Sequence, residues 1–200
     1  MKASKDLYYL LNRGYSKGSA VRFVGDHYCL TKKEGYKLKR MVFSKEEIRL
    51  TLKKRSAIEE IQGKGLMVDG YNVLITVESV LKGEAFRCFD GVIRDIQGIF
   101  HKYRFTEKGK EALRRILSLL KRYPPKETLF LFDTQISKSG ELCSYVQKKL
   151  RKYSLNGDAW TTKNVDYTLK ERQMLTATND SIIIKELEYF VDIPGEIWKD

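Results

Sequence analysis

Apolar and polar positions follow two rhythms along this chain, and the change falls near residue 63. Up to there, apolar residues recur at helical spacing in short runs. Asp6–Leu11 is one such run, ended at Arg13-Gly14, where a glycine suits a helix C-cap. Ser16 opens a second through Ala20, Val21, Phe23 and Val24, stopped at Gly25. Thr31-Lys32-Lys33-Glu34 and Ser44-Lys45-Glu46-Glu47 each place a Ser or Thr three residues before a Glu, the capping-box spacing that marks two further helix starts. Four short helices therefore fit residues 6–62. The glycines of Gln62-Gly63-Lys64-Gly65 make a link, and beyond it short apolar runs alternate with helical patterns. Strands are expected at Leu66–Asp69, Thr128–Asp133, Asp158–Thr162, Met174–Asp180 and Tyr189–Ile193. Helices are expected at Val73–Leu81, Glu107–Arg122, Leu142–Tyr153 and from Val165. That alternation predicts a three-layer α/β domain with a parallel sheet over residues 65–200, preceded by a small all-α module over residues 1–62.

The strands share a second feature: three of them run into an aspartate, Asp69, Asp133 and Asp180, and a fourth aspartate, Asp166, stands in the first turn of a helix. Crossovers put the carboxyl ends of parallel strands on one edge, where open α/β sheets bind their ligands. A single aspartate after a strand is an ordinary turn residue. Three after three strands, with a fourth at a helix start, are hard to attribute to turns. Their mutual repulsion costs stability unless a cation sits among them, and an all-oxygen ligand set suits Mg²⁺ or Mn²⁺. Such a cluster activates water and neutralises charge developing on a phosphodiester. Gly70 is read as the residue that lets the chain turn after Asp69. Asn72 either caps the next helix or orients Asp69 by a hydrogen bond. Asn72 and Asn179, each close in sequence to one of these aspartates, are candidate substrate contacts.

Two further stretches carry candidate chemistry. Phe86–Asp95 packs two carboxylates, two arginines and a glycine into ten residues, so Asp90 is read either as a ligand with Arg94 clamping phosphate, or as part of an internal salt-bridge set with it. Ser137 and Ser139 enter a helix through Ser-Lys-Ser-Gly, which offers either an anion site or plain capping.

Charge changes the picture more than composition does. The chain carries a net +12. Residues 1–60 hold 15 Lys+Arg against 7 Asp+Glu, a net +8, and the remaining 140 residues hold 23 against 19, a net +4. A basic segment on a near-balanced domain points to a polyanion, most simply RNA, with a solvated lysine-rich surface as the alternative. The candidate contacts are Lys32, Lys33, Lys37, Lys39, Arg40, Lys53, Lys54 and Arg55. Tyr15, Tyr28 and Tyr36 lie among them, assigned by their helical spacing to the module's core first and to base stacking second. Cys29, Cys88 and Cys143 are far apart, which excludes a zinc ribbon or disulfide framework, and the isolated His27 and His101 make histidine catalysis a poor fit. No apolar run reaches the length of a membrane span and no signal-peptide core follows Met1, so a cytoplasmic protein is expected.

Val68-Asp69-Gly70-Tyr71-Asn72-Val73 resembles the first motif of the NYN branch of PIN-like nucleases. Val165-Asp166-Tyr167-Thr168-Leu169 is similar to their helix-start aspartate motif, and Thr178-Asn179-Asp180-Ser181 to their Thr-x-Asp motif, in the same order. The resemblance covers about residues 65–193. The stretch from Arg13 to Arg40 resembles the basic helical module that precedes a PIN-like domain in an archaeal and bacterial family. The resemblance implies a metal-dependent nuclease, most simply an endoribonuclease, with Asp69, Asp166 and Asp180 as ligands of Mg²⁺ or Mn²⁺. Asp133 departs from the usual pattern, in which a Glu often fills another acidic position, and is either ligand or support. The rival readings are a non-catalytic RNA-binding protein and a small-phosphoester hydrolase, which a deep enclosed pocket would favour. A homodimer is an open partner.

Overall fold

The structure, a computed structural model, describes residues 2–96, 103–172 and 174–199; His101 lies outside them. The first helices form as local chemistry dictates. Helix α1 spans Lys2–Asn12, α2 Lys17–His27, α3 Lys32–Met41 and α4 Lys45–Lys54. Both capping boxes close, with Thr31 and Ser44 accepting the N–H groups of Glu34 and Glu47 while those glutamates accept the cap residues' own N–H groups. Helix α2 runs through Gly25 instead of stopping there. A mid-helix glycine costs only about 1 kcal/mol, and Ala20 and Val24 anchor that helix against Leu7, Leu11, Leu38 and Val42. Tyr15 and Tyr36 are outside this core, 58% and 39% exposed, contrary to the placement that spacing suggested. Tyr28 is half-buried and donates its hydroxyl hydrogen bond to Asp6.

The break between module and α/β body comes at Lys54, ahead of the glycines. Ser56 N–H donates to the Phe190 carbonyl at 2.8 Å, and the 3₁₀ turn Ile58–Ile61 buries both isoleucines in the α/β core. The body then runs β1 (Gly65–Asp69), α5 (Gly70–Leu81), a small antiparallel hairpin of β2 (Phe86–Arg87) and β3 (Ile93–Arg94), α6 (Glu107–Arg122), β4 (Glu127–Asp133), α7 (Ser139–Lys152), β5 (Gly157–Thr162), α8 (Val165–Glu171), β6 (Leu175–Ala177), α9 (Ser181–Glu186), β7 (Phe190–Val191) and α10 (Ile193–Lys199). The five long-range strands pair in the order β5-β4-β1-β6-β7, all parallel.

Alternation along the strands sorts the two faces. Leu66, Val68, Phe130 and Phe132 pack with α5, α6, α7 and α10, whereas Met67, Leu129 and Leu131 pack with Leu169 of α8 and Ile183 and Ile184 of α9. This is the expected three-layer α/β arrangement behind an all-helical module. Each fully buried Phe or Leu contributes roughly 1.5–3 kcal/mol. Helix α5 starts at Gly70, earlier than its apolar run suggested. Its glycine serves close packing and not a turn: a Cβ there would stand 2.5 Å from the Phe132 ring and 2.6 Å from the Leu131 carbonyl oxygen. Helix α10 has no counterpart in the sequence reading; Asp192 starts it, accepting the Gly195 N–H at 2.8 Å. Among the described residues no helix is long and apolar enough to cross a membrane.

Candidate active site

The strand order reverses between β1 and β6, since β1, β4 and β5 progress one way and β6 and β7 the other. Ligands of doubly wound sheets collect beyond the carboxyl ends at this switch point. A cavity of about 310 Å³ lies there, and Asp69, Asp133, Asp166 and Asp180 all line it, with Tyr71, Asn72, Leu131, Ile136, Val165 and Ile183. Four carboxylates and no Lys or Arg stand among these lining residues. The four aspartates singled out from the sequence are thus brought together.

Each is held differently. Asp69, the last residue of β1, is 6% exposed and its Oδ2 accepts the Thr178 hydroxyl at 2.9 Å. Burial pushes its carboxyl up to about 7; the Thr178 hydrogen bond pulls the other way, and the charges of Asp180 and Asp166 add to the rise. Asp180 lies three residues past the end of β6 and not on the strand. There it caps α9, its Oδ1 accepting the Ile182 N–H at 2.7 Å. Thr178 Oγ1 also accepts the Asp180 N–H at 3.2 Å, so one hydroxyl ties the two carboxylates' positions together. Asp133 ends β4 and accepts the Gln135 N–H at 2.8 Å. Asp166 is exposed in the first turn of α8. The donor set is hard and entirely oxygen, which fits Mg²⁺ or Mn²⁺ chemically. As placed, no three such groups among the described residues stand close enough to share one ion.

The remaining sequence candidates divide. Asn72 lines the cavity, and it meets Asp69 through its backbone N–H, which bonds the carboxylate, and not through its side chain, which neither caps α5 nor reaches Asp69; its Oδ1 accepts the Asn179 N–H at 3.3 Å. Asn179 is 1% exposed, its Nδ2 donating to Thr76 Oγ1 at 2.7 Å and to the Ile93 carbonyl at 3.0 Å, so it braces the β6–α9 turn and faces no substrate. Asp90 and Arg94 are outside the cavity. They form a buried bidentate pair, both bonds 2.8 Å, and Arg94 Nε donates to the Asn179 carbonyl at 2.8 Å. Their role is internal, because two groups 1% and 2% exposed cannot meet a phosphate. Ser139 is buried in the first turn of α7, while Ser137 is exposed and lines a neighbouring cleft.

The basic residues of the module also divide. Lys54 donates to the carbonyls of Ile184 and Lys185 at the end of α9, and Arg55 pairs with buried Asp192 at 3.1 Å. Arg40 approaches buried Asp95 at 3.8 Å, and Lys37 stands 5.2 Å over the Phe86 ring. These join module to body and are not free for a nucleic acid. Lys32, Lys33, Lys39 and Lys53 are exposed. Sequence reasoning missed Tyr71 as a cavity wall and Thr178 as the group that fixes Asp69, although both lie inside the motifs it used.

Comparison with known proteins agrees with this two-part chain. Residues 58–196 match the family described as Domain of unknown function (DUF5616), and residues 1–54 match Protein of unknown function (DUF434). The break between the matches coincides with the structural break at Lys54. A relative from Methanocaldococcus jannaschii, Uncharacterized protein MJ0935, is 39% identical over 198 residues, covering 98% of this chain and 94% of its own length. No solved structure matches the chain. With most of its α/β body inside one match and its helical module inside the other, the chain belongs to the DUF5616 family, here preceded by a DUF434 segment.

Proposed function

We propose that the protein is a metal-dependent nuclease of PIN-like type, acting on RNA. The observation that carries this reading is the convergence of Asp69, Asp133, Asp166 and Asp180 on one cavity, without a cationic side chain in its lining, at the switch point of a parallel sheet. Asp69, Asp166 and Asp180 would hold Mg²⁺ or Mn²⁺, and Asp133 would support them. When bound, the ion supplies positive charge against the phosphodiester as its charge grows. The chain's own part is positioning: Thr178 fixes Asp69, the α9 N-terminus holds Asp180, and the Asn72–Asn179 contact keeps the turn between β6 and α9 in place. The exposed lysines of the module supply sequence-independent affinity for a phosphate backbone.

The decisive experiment is cleavage of end-labelled single-stranded RNA by the full chain with Mn²⁺, with chelator, and as Asp69→Asn and Asp180→Asn. Metal-dependent cleavage that either substitution lowers by orders of magnitude is the expected result. Equal degradation by wild type and Asp69→Asn would trace the activity to a contaminant. The spacing of the carboxylates, no three of which among the described residues stand close enough to share one ion as placed, favours one second reading: an RNA-binding protein on this fold without turnover.

A further inference from the structure

A second, larger cleft of about 840 Å³ adjoins the carboxylate cavity, and Tyr71 is a wall of both. Its other aromatic walls are Tyr103, Phe105 and Tyr145, half-buried where the core phenylalanines are enclosed. The rings are chained edge-on: Tyr71 to Tyr103 at 5.5 Å, and Phe105 to Tyr145 at 5.2 Å. They are also firmly seated. Tyr103 donates its hydroxyl hydrogen bond to Glu78, and α6 approaches so closely at Gly109 that a Cβ there would stand 2.7 Å from the Phe105 ring and 2.8 Å from the Tyr103 hydroxyl.

Three cations, Arg104, Lys110 and Lys138, share this cleft with one acid, Glu141. Lys110 and Lys138 are engaged with Glu107 and Glu141 on their own helical turns. Arg104 is exposed and has no ion pair among the described residues. Aromatic walls with a free guanidinium beside them match a nucleobase and the phosphate attached to it, and volumes of ~300–1,000 Å³ are typical of ligand sites.

We propose that this cleft is the substrate subsite that seats an unpaired base next to the scissile phosphate, with Tyr145 and Phe105 as the stacking platform and Arg104 on the adjoining phosphate. The inference rests on the nuclease reading, and it adds where the substrate lies and why it must be single-stranded: in a duplex the base stays stacked on its neighbours and cannot enter. Its walls are scattered along the chain, Tyr71 in α5, Arg104 in the loop ahead of α6 and Tyr145 in α7, so no motif announces it.

Binding of an end-labelled oligoadenylate of about six nucleotides, within the span of single-strand grooves, tests the site by anisotropy in chelator. The full chain is used at ~150 mM salt, where lysine contacts elsewhere are weakened. Tyr145→Leu should weaken binding about ten-fold or more, Tyr145→Phe should retain it, and Arg104→Ala should weaken it several-fold with a shallower salt dependence. Arg104 is exposed and unpaired, so its variant decides the matter if Tyr145→Leu fails to fold. Wild-type affinity in both Arg104→Ala and a folded Tyr145→Leu overturns the subsite, and does so even if Asp69→Asn abolishes cleavage, in which case the nuclease reading stands. Loss of binding in the cleft variants, with no divalent ion supporting cleavage by wild type, keeps the subsite and removes the nuclease.

Discussion

Replacing Asp69 by Asn should make the metal-free protein more stable at neutral and alkaline pH. Asp69 is 6% exposed in a cavity it shares with three other aspartates, and burial, with the charges of Asp180 and Asp166, carries its carboxyl from the ordinary 3.8 to about 7. A folded-state value above the unfolded one means that the native protein binds the extra proton across this window. Stability then falls as pH rises from about 4 through 7, and the full penalty is present above it. A rise of three units at ~1.4 kcal/mol each sets a ceiling of about 4 kcal/mol. Relaxation and water entry make a gain of about 1–3 kcal/mol the working expectation. Asn is nearly isosteric, and its Oδ1 still accepts the Thr178 hydroxyl that now bonds Asp69 at 2.9 Å. Denaturant unfolding of both proteins in chelator across pH 4–9 should therefore give curves that draw together towards pH 4 and separate up to about pH 7. Added Mn²⁺ should reverse the order, since an ion held only by the folded wild type contributes about 3 kcal/mol at hundred-fold excess over its Kd. If the variant is less stable than wild type at pH 8 in chelator, Asp69 is stabilised as an anion there, and the crowding on which the cation argument depends does not exist.

Two other outcomes follow from the polar interior and the module. Arg94→Met should strand buried Asp90 and cost about 3–5 kcal/mol in denaturant unfolding, whereas replacing both partners with apolar residues should recover most of that loss. Changing Lys32, Lys33, Lys39 and Lys53 to Gln should flatten the logarithmic salt dependence of RNA binding by roughly 0.7 per lost phosphate contact; Lys54→Ala should instead lower the melting temperature and leave the slope alone.

What the sequence made legible was local or repetitive. Thr31 and Ser44 cap their helices because both partners of each capping box lie within three residues, and the strand–aspartate theme recurs often enough to identify the carboxyl edge. Long-range partners escaped it. Lys54 bonds a carbonyl 130 residues away and Arg55 a carboxylate 137 residues away, so a cation of the interface and a cation of the surface look alike in the chain. Gly70 looked like a turn residue since Asp-Gly is turn chemistry, yet it is required by the approach of β4 on the neighbouring strand. Tyr15 and Tyr36 have the spacing of core residues, but three short helices enclose too little volume to bury them.

The division of the basic residues bears on what the module does. Arg40 of α3 meets Asp95, Asp95 accepts the Thr76 hydroxyl at 3.0 Å, and Thr76 accepts from Asn179, the residue before Asp180. From the other side, Lys54 closes the end of α9, whose start is capped by Asp180. The module therefore touches both ends of the short segment that carries one of the four carboxylates. Removing it would leave Asp95 without Arg40 and the last α9 carbonyls without Lys54, and would take away Phe43, uncovering Phe86 and Cys88, on which it packs, and the Arg94 guanidinium 4.8 Å from its ring. An α/β body expressed alone should accordingly lose stability and the setting of Asp180 together. A polyanion gripped by Lys32, Lys33, Lys39 and Lys53 would then act on a module that is already part of the site's scaffold, and on the nuclease reading proposed above, binding and catalysis would not be separable by cutting the chain at the glycines.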